Sequence, residues 1–181
     1  VKDAGERNAA AAQAMEQLAR AKELVESAGL EVETVSSVGT GTYDVAGRAP
    51  HVTEVQAGSY VVMDGRYRSI RPEFRTALTL MSTVVSVPRP GVAVADAGLK
   101  SCTTEFGLPE VLSPRGITVK GLAEEHAILD VPSDVQLKVG DRIALLPSHC
   151  CTTINLHDEY VVVERAREKE CWPIEGRGKI R

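Results

Sequence analysis

Residues 145–158, Leu145-Leu146-Pro147-Ser148-His149-Cys150-Cys151-Thr152-Thr153-Ile154-Asn155-Leu156-His157-Asp158, bring one imidazole and two thiols side by side. In extended backbone, residues two apart face the same side. His149 and Cys151 can then offer a nitrogen and a thiolate to one metal ion while Cys150 points away. Two protein ligands with open positions suit a catalytic metal rather than a closed structural one, and a His/Cys pair favours zinc over magnesium or calcium. The plainer alternative for a single His-x-Cys is a buried cysteine beside a hydrogen-bonded histidine. His157 lies further on and Cys171 further still, so neither is an evident third ligand.

A second kind of chemistry is anion binding. Ser36-Ser37-Val38-Gly39-Thr40-Gly41-Thr42 follows a β-branched run, and Glu54-Val55-Gln56-Ala57-Gly58-Ser59-Tyr60 follows another. Glycines let a backbone turn tightly and present its N–H groups to a phosphate, and Ser and Thr hydroxyls add donors. Two such strand ends in succession can flank one phosphate. A Gly-Thr-rich turn is more often only a turn, and Gly58 also suits a simple bulge.

The remaining candidates read more plainly. Glu124-Glu125-His126 can supply a base or a ligand, but a charged turn before a strand is the commoner explanation. Asp96 and Lys100 can form an ion pair at a domain edge, which at a surface contributes about 0–1 kcal/mol. His51, in a loop, and Trp172, in the tail, read as structural.

The elements that must carry these residues follow from pattern. Residues 6–28 are rich in Ala, Glu, Gln, Leu and Lys, with Ala14, Leu18, Ala21, Leu24 and Val25 at helical spacing, and Gly29 is a plausible stop. Residues 31–38 and 52–63 read as strands, the second interrupted by Ala57-Gly58-Ser59. From Thr76 onward come short β-branched runs at 78–87, 92–95, 117–119, 127–131, 142–146 and 160–163. Turn residues such as Pro88-Arg89-Pro90-Gly91, Ser113-Pro114-Arg115-Gly116 and Val139-Gly140-Asp141 separate them. Such a series predicts antiparallel strands in a small β domain. The boundary is expected near residues 66–75. A helix and two buried strands cannot close a sheet by themselves, so residues 1–64 read as the end of something larger, on this or another chain.

Composition narrows the function classes. The chain has 181 residues and a formal net charge of −4, with its basic residues scattered, so nucleic acid is not an expected partner. No run approaches the roughly 20 apolar residues of a membrane span, and no signal-peptide pattern opens the chain, so a cytoplasmic protein is expected. Of four cysteines two are adjacent, which suits reduced thiols better than a disulfide framework.

These segments together resemble the D-threonine aldolase and D-serine dehydratase family, pyridoxal-phosphate enzymes of the alanine-racemase-type fold. The resemblance is carried by Gly39-Thr40-Gly41-Thr42-Tyr43, by residues 54–61 with Met63-Asp64, and by Val94-Ala95-Asp96-Ala97-Gly98-Leu99-Lys100. It continues through Glu124-Glu125-His126, Gly140-Asp141, Pro147-Ser148-His149 and Thr153-Ile154-Asn155-Leu156 to Trp172-Pro173-Ile174 with Arg177-Gly178. It implies an α/β plus all-β architecture: residues 1–65 as the last helix and strands of a (β/α)8 barrel, and residues 66–181 as an antiparallel β domain carrying the metal site.

The same resemblance implies that Gly39, Thr40, Gly58 and Ser59 hold the cofactor phosphate, that Gln56 sits near the pyridine nitrogen and that Tyr60 lines the pocket. His149 and Cys151 match the family's metal pair, for zinc by preference or for manganese or magnesium. The earlier barrel strands, with the lysine that carries the cofactor, are expected outside this chain, on the same gene product or a partner chain, in a homodimer. The implied activity is a lyase for β-hydroxy D-amino acids, an aldolase in preference to a dehydratase. The loops look like the aldolases, which usually carry Asp where Cys151 stands, whereas the thiol looks like the zinc-using dehydratases. A non-catalytic binding module is the reading from another class.

Overall fold

Asp3 opens the first helix, its carboxylate accepting from the Glu6 N–H at 2.8 Å, which satisfies one of the free donors of the first turn. In the computed structural model, which describes residues 3–165 and 167–179, α1 spans Ala4–Ser27. Gly29 follows with φ 82°, a left-handed stop. None of the residues of α1 is fully buried, and of the expected apolar stripe Leu18 is half-buried while Ala14, Ala21, Leu24 and Val25 are exposed. A helix of this kind draws most of its stability from packing of that stripe.

β1 (Ser36–Ser37) and β2 (Glu54–Val55) pair in parallel, Ser36 opposite Glu54 and Ser37 opposite Val55. The longer strands expected over 31–38 and 52–63 shrink to these two-residue pieces, and Ser59–Val61 is a 3-10 turn. Each strand has a neighbour on one side only, and a two-stranded ribbon lacks the ladder that holds longer extended runs. A (β/α)8 barrel is not present among the described residues. Two compact units result: one runs to Met63 and takes in Tyr67–Thr76, and the other comprises Asp64–Arg66 and the chain from Ala77 onward. The short helix α2 spans Gly65–Arg68.

The second unit is built on six antiparallel strands: β3 (Leu80–Arg89), β4 (Val92–Ala95), β5 (Glu110–Ser113), β6 (Thr118–Leu122), β7 (Ala127–Asp130) and β8 (Arg142–Leu146). Their order is β5-β8-β3-β4-β7-β6, and the two end strands touch, so the sheet is a nearly closed barrel. Alternation explains its interior: in β7, Ala127 and Leu129 point in and are fully buried while Ile128 and Asp130 point out. Alanines at 93, 95, 97 and 127 supply the small side chains that a tight barrel needs beside Val84, Ile143 and Leu145. Register shifts in β3, β5 and β6 let the strands curl. After β8 come the short helix α3 (Cys150–Ile154) and a hairpin of β9 (Glu159–Glu164) and β10 (Arg167–Pro173). Trp172 lies on that hairpin opposite Tyr160, half exposed. No helix among the described residues is long and apolar enough to cross a membrane.

After β4 the chain passes through Gly98, where it is pressed against another strand end. Leu99 N–H and Lys100 N–H donate to the Ala123 and Glu124 carbonyls, each at 2.9 Å. A Cβ on Gly98 would lie 2.5 Å from the backbone of residues 123 and 124, which real atoms do not tolerate. Gly98→Ala is therefore expected to destabilise the protein by about 3 kcal/mol. Gly121→Ala, whose added methyl meets nothing within 4 Å, should change stability by no more than about 0.5 kcal/mol. Urea unfolding of both variants checks the contrast.

Candidate functional site

In the first unit the chain leaves β1 and β2 through turns that are tied together. Gln56 N–H donates to the Ser37 carbonyl at 3.0 Å, and Tyr60 N–H donates to Thr40 Oγ1 at 3.1 Å. Thr40 and Ser59 are buried in this junction. Gly39 and Gly58 both lack a positive φ, so their backbone angles do not require glycine. A Cβ built on either meets nothing within 4 Å, so each leaves backbone facing open space that a ligand can approach. Val38, just before Gly39, takes φ 74°, a strained angle for a β-branched residue that marks an over-determined turn.

What determines that turn is Arg71, a buried guanidinium that the sequence reading passed over. It donates to the Gly41 carbonyl through Nη2 at 2.7 Å and Nε at 3.2 Å, and to Asp44 Oδ2 through Nη1 at 2.9 Å. Arg7 adds a third donor to the same carbonyl at 3.1 Å, and Tyr43 stacks under the guanidinium, 5.1 Å from its centre. The hydrogen bonds from Arg71 hold the Asp44 carboxyl below its ordinary value, and the same pairing raises Arg71. Tyr60 is half exposed and packs its ring on Phe74, centroids 5.6 Å apart. Gln56 turns its amide to the Ser36 hydroxyl at 2.6 Å and to Glu54 Oε1 at 2.5 Å.

In the second unit the structure corrects the expected local geometry of His149 and Cys151. His149 alone is extended, φ −139° and ψ 125°, and the chain turns helical at Cys150. His149 makes no side-chain cap; instead the buried Asp64 carboxylate accepts from the Cys150 N–H at 3.0 Å. The helical turn buries Cys150 and leaves Cys151 exposed, their sulfurs 3.9 Å apart. Beside them stands Glu105, whose Oε1 accepts from His149 Nδ1 and from the Thr152 hydroxyl. Those two hydrogen bonds hold its carboxyl below the ordinary value, Thr152 contributing most. Phe106 lies against the imidazole, centroids 4.7 Å apart.

Other thiols and imidazoles are accounted for separately. Burial pushes the Cys102 thiol up to about 11, which keeps it protonated. His157 Nε2 pairs with the Ser101 carbonyl at 2.9 Å. The expected Asp96–Lys100 pair does not form. Asp96 turns to the Ser82 hydroxyl at 2.9 Å and the Thr83 N–H at 2.6 Å, while Lys100 pairs with Glu124 at 3.4 Å and Glu125 at 2.9 Å. This is the solvated charged turn that Glu124-Glu125 suggested. Among the described residues, no three or more His, Cys, Asp and Glu side chains gather as a metal cluster.

With this β domain and these segments in place, the chain belongs to the D-threonine aldolase and D-serine dehydratase family. Residues 77–163 match the model of the putative serine dehydratase domain. The chain is similar to 3-hydroxy-D-aspartate aldolase of Paracoccus denitrificans (strain Pd 1222), 35% identical over 175 residues that cover 92% of this chain and 45% of that protein. It is also similar to D-threonine aldolase of Arthrobacter sp, 35% identical over 161 residues covering 86% of this chain and 42% of that protein.

Among solved structures, D-threonine aldolase from Filomicrobium marinum matches with a TM-score of 0.90 and 32% identity, over 99% of this chain and 51% of that one. D-threo-3-hydroxyaspartate dehydratase from Delftia sp. HT23 matches with a TM-score of 0.80 and 27% identity, over 94% of this chain and 52% of that one. The structure of one of its cysteine-to-alanine variants is of a metal-free form. The chain thus spans about half the length of the curated relatives it matches.

Asp44 gives the first unit a definite acid response. Its folded value is depressed, so the pair with Arg71 contributes its stability in full above the ordinary value of 3.8 and loses it as the pH falls through the lower folded value. Asp44→Asn is therefore expected to melt below the parent at pH 7, with the gap narrowing as the pH falls below 3.8. Thermal melts across that range check the sign.

Proposed function

We propose that this chain is the C-terminal half of a pyridoxal-phosphate-dependent, divalent-metal-assisted lyase for β-hydroxy D-amino acids, with retro-aldol cleavage to glycine and an aldehyde as its reaction. The observation that carries this reading is the joined pair of turns after β1 and β2, where Gly39 and Gly58 leave open backbone on a cradle locked by Thr40 and Tyr60. In this reading β1 and β2 are the last two strands of a (β/α)8 barrel of about 250 residues, most of which lies outside the chain.

The residues present fit the two groups. Gly39, Thr40, Gly58 and Ser59 would hold the cofactor phosphate with backbone and hydroxyl donors, with Gln56 and Tyr60 toward the ring. His149 and Cys151 would hold the metal: Nδ1 of the imidazole is taken by Glu105, which leaves Nε2, and the Cys151 thiol is exposed. When bound, pyridoxal phosphate supplies an electron sink for the bond broken at the substrate Cα. When bound, the metal supplies a Lewis acid that lowers the pKa of the β-hydroxyl. The chain's own part is to orient and to hold charge, with Arg71 fixing the turn at Gly41 and Phe106 fixing the plane of the His149 ring.

Dehydration to a 2-oxo acid and ammonia is the second reading, favoured by the thiol of Cys151, which suits zinc. A homodimer in the cytoplasm, taking a small amino acid rather than a macromolecule, belongs to the same proposal.

Full-length protein loaded with pyridoxal phosphate and zinc or manganese is expected to convert D-threonine to acetaldehyde and glycine. Ammonia and 2-oxobutanoate without acetaldehyde would establish the dehydratase instead, and neither product set would refute both. His149→Ala and Cys151→Ala should each lower turnover by about 100-fold or more while the visible absorbance of the bound cofactor is kept.

A further inference from the structure

Glu105 lies 44 residues from His149 in sequence, yet its carboxylate meets the imidazole directly. A carboxylate can only accept, so the neutral ring that faces it must carry its proton on Nδ1 and its lone pair on Nε2. The carboxylate is itself fixed, because Oε1 also accepts from the Thr152 hydroxyl. Thr152 Oγ1 lies 2.8 Å from Thr103 Oγ1, which lies 3.1 Å from Thr153 Oγ1, and the Thr103 N–H donates to Thr153 Oγ1 at 3.3 Å. The Ser148 hydroxyl donates to the Thr103 carbonyl at 3.4 Å. Residues 103–105 are thus laced to residues 148–153 from both ends of the His149 turn. On the ring face, Phe106 stacks 4.7 Å from the imidazole and carries the Arg66 guanidinium 5.4 Å from its own centroid.

We infer that, given His149 and Cys151 as the metal pair proposed above, Glu105 is a positioning residue: it holds the His149 ring through Nδ1 so that Nε2 is the nitrogen presented to the ion. Metal-binding histidines depend on such an acceptor to fix their tautomer and orientation, and its loss weakens metal affinity by about 10–100-fold. Phe106 and the threonine network limit the remaining freedom of the ring and of the carboxylate.

The test is zinc affinity, measured by chelator competition on the full-length protein with pyridoxal phosphate bound, together with thermal melting of the zinc-free form. Glu105→Ala is expected to raise the zinc Kd about 10–100-fold with the zinc-free melting temperature and the cofactor absorbance unchanged. Glu105→Gln, whose amide oxygen still accepts from Nδ1, should lose less. If Glu105→Ala binds zinc as the parent does while His149→Ala does not, the role of Glu105 is overturned and the metal site stands. If His149→Ala itself binds zinc as tightly as the parent, the metal site fails and takes this role with it.

Loss of zinc binding in Glu105→Ala only alongside a fall in zinc-free melting would make Glu105 structural and overturn the inference. Nitrogen-15 spectra of the histidine-labelled parent test it without any variant. Zinc is expected to shift Nε2 of His149 and leave Nδ1 protonated, and a shift at Nδ1 instead overturns it.

Discussion

An imidazole can use either of two nitrogens, and in this protein the Glu105 carboxylate occupies Nδ1 of His149. Much of the second unit bears on that contact. The nearly closed six-stranded sheet gives β8 a rigid end, and the chain leaves it straight into Pro147, Ser148 and His149. From the other direction β4 runs into the turn at Gly98, which needs a residue without a side chain so that 99 and 100 can reach the carbonyls of 123 and 124. That turn delivers Thr103, Glu105 and Phe106. Two segments far apart in sequence thereby meet around one ring, each a connection that leaves a strand of the barrel.

The first unit uses a different device for a similar end. A buried Arg71 gathers the Gly41 carbonyl and the Asp44 carboxylate, just after the strained angle of Val38. Burying a guanidinium is unfavourable unless its donors are satisfied, and here they are spent on the Gly41 carbonyl and the Asp44 carboxylate. The result is a turn in which Gly39 faces open space while Gly41 is held from behind against Tyr67 and Ile70. For the phosphate proposed above, such preorganisation would keep its N–H donors in place before it arrives.

Much of the β domain was legible from residues 76 onward, because β-branched runs separated by Gly and Pro are read one at a time. The runs at 92–95 and 142–146 coincide with β4 and β8, and those at 78–87, 127–131 and 160–163 overlap β3, β7 and β9. β5 and β10 were missed for opposite reasons. Glu110–Ser113 carries a single β-branched residue, Val111, and Arg167–Pro173 is too charged to look like a strand until β9 pairs with it. The helical turn at Cys150 was read as extended, whereas the group that meets its first N–H, Asp64, lies 86 residues earlier. Glu105 had no local signal at all. The turns at Gly39 and Gly58 were visible as glycines between hydroxylic residues, but the Arg71 that holds one of them was not.

The central claim is that His149 and Cys151 together bind one metal ion. X-ray absorption at the zinc edge of the zinc-loaded full-length protein tests it most directly. The account predicts one sulfur at about 2.3 Å and one imidazole nitrogen at about 2.0–2.1 Å, with oxygen filling the other positions. A zinc shell without sulfur, or one unchanged when Cys151 is replaced by serine, would contradict it.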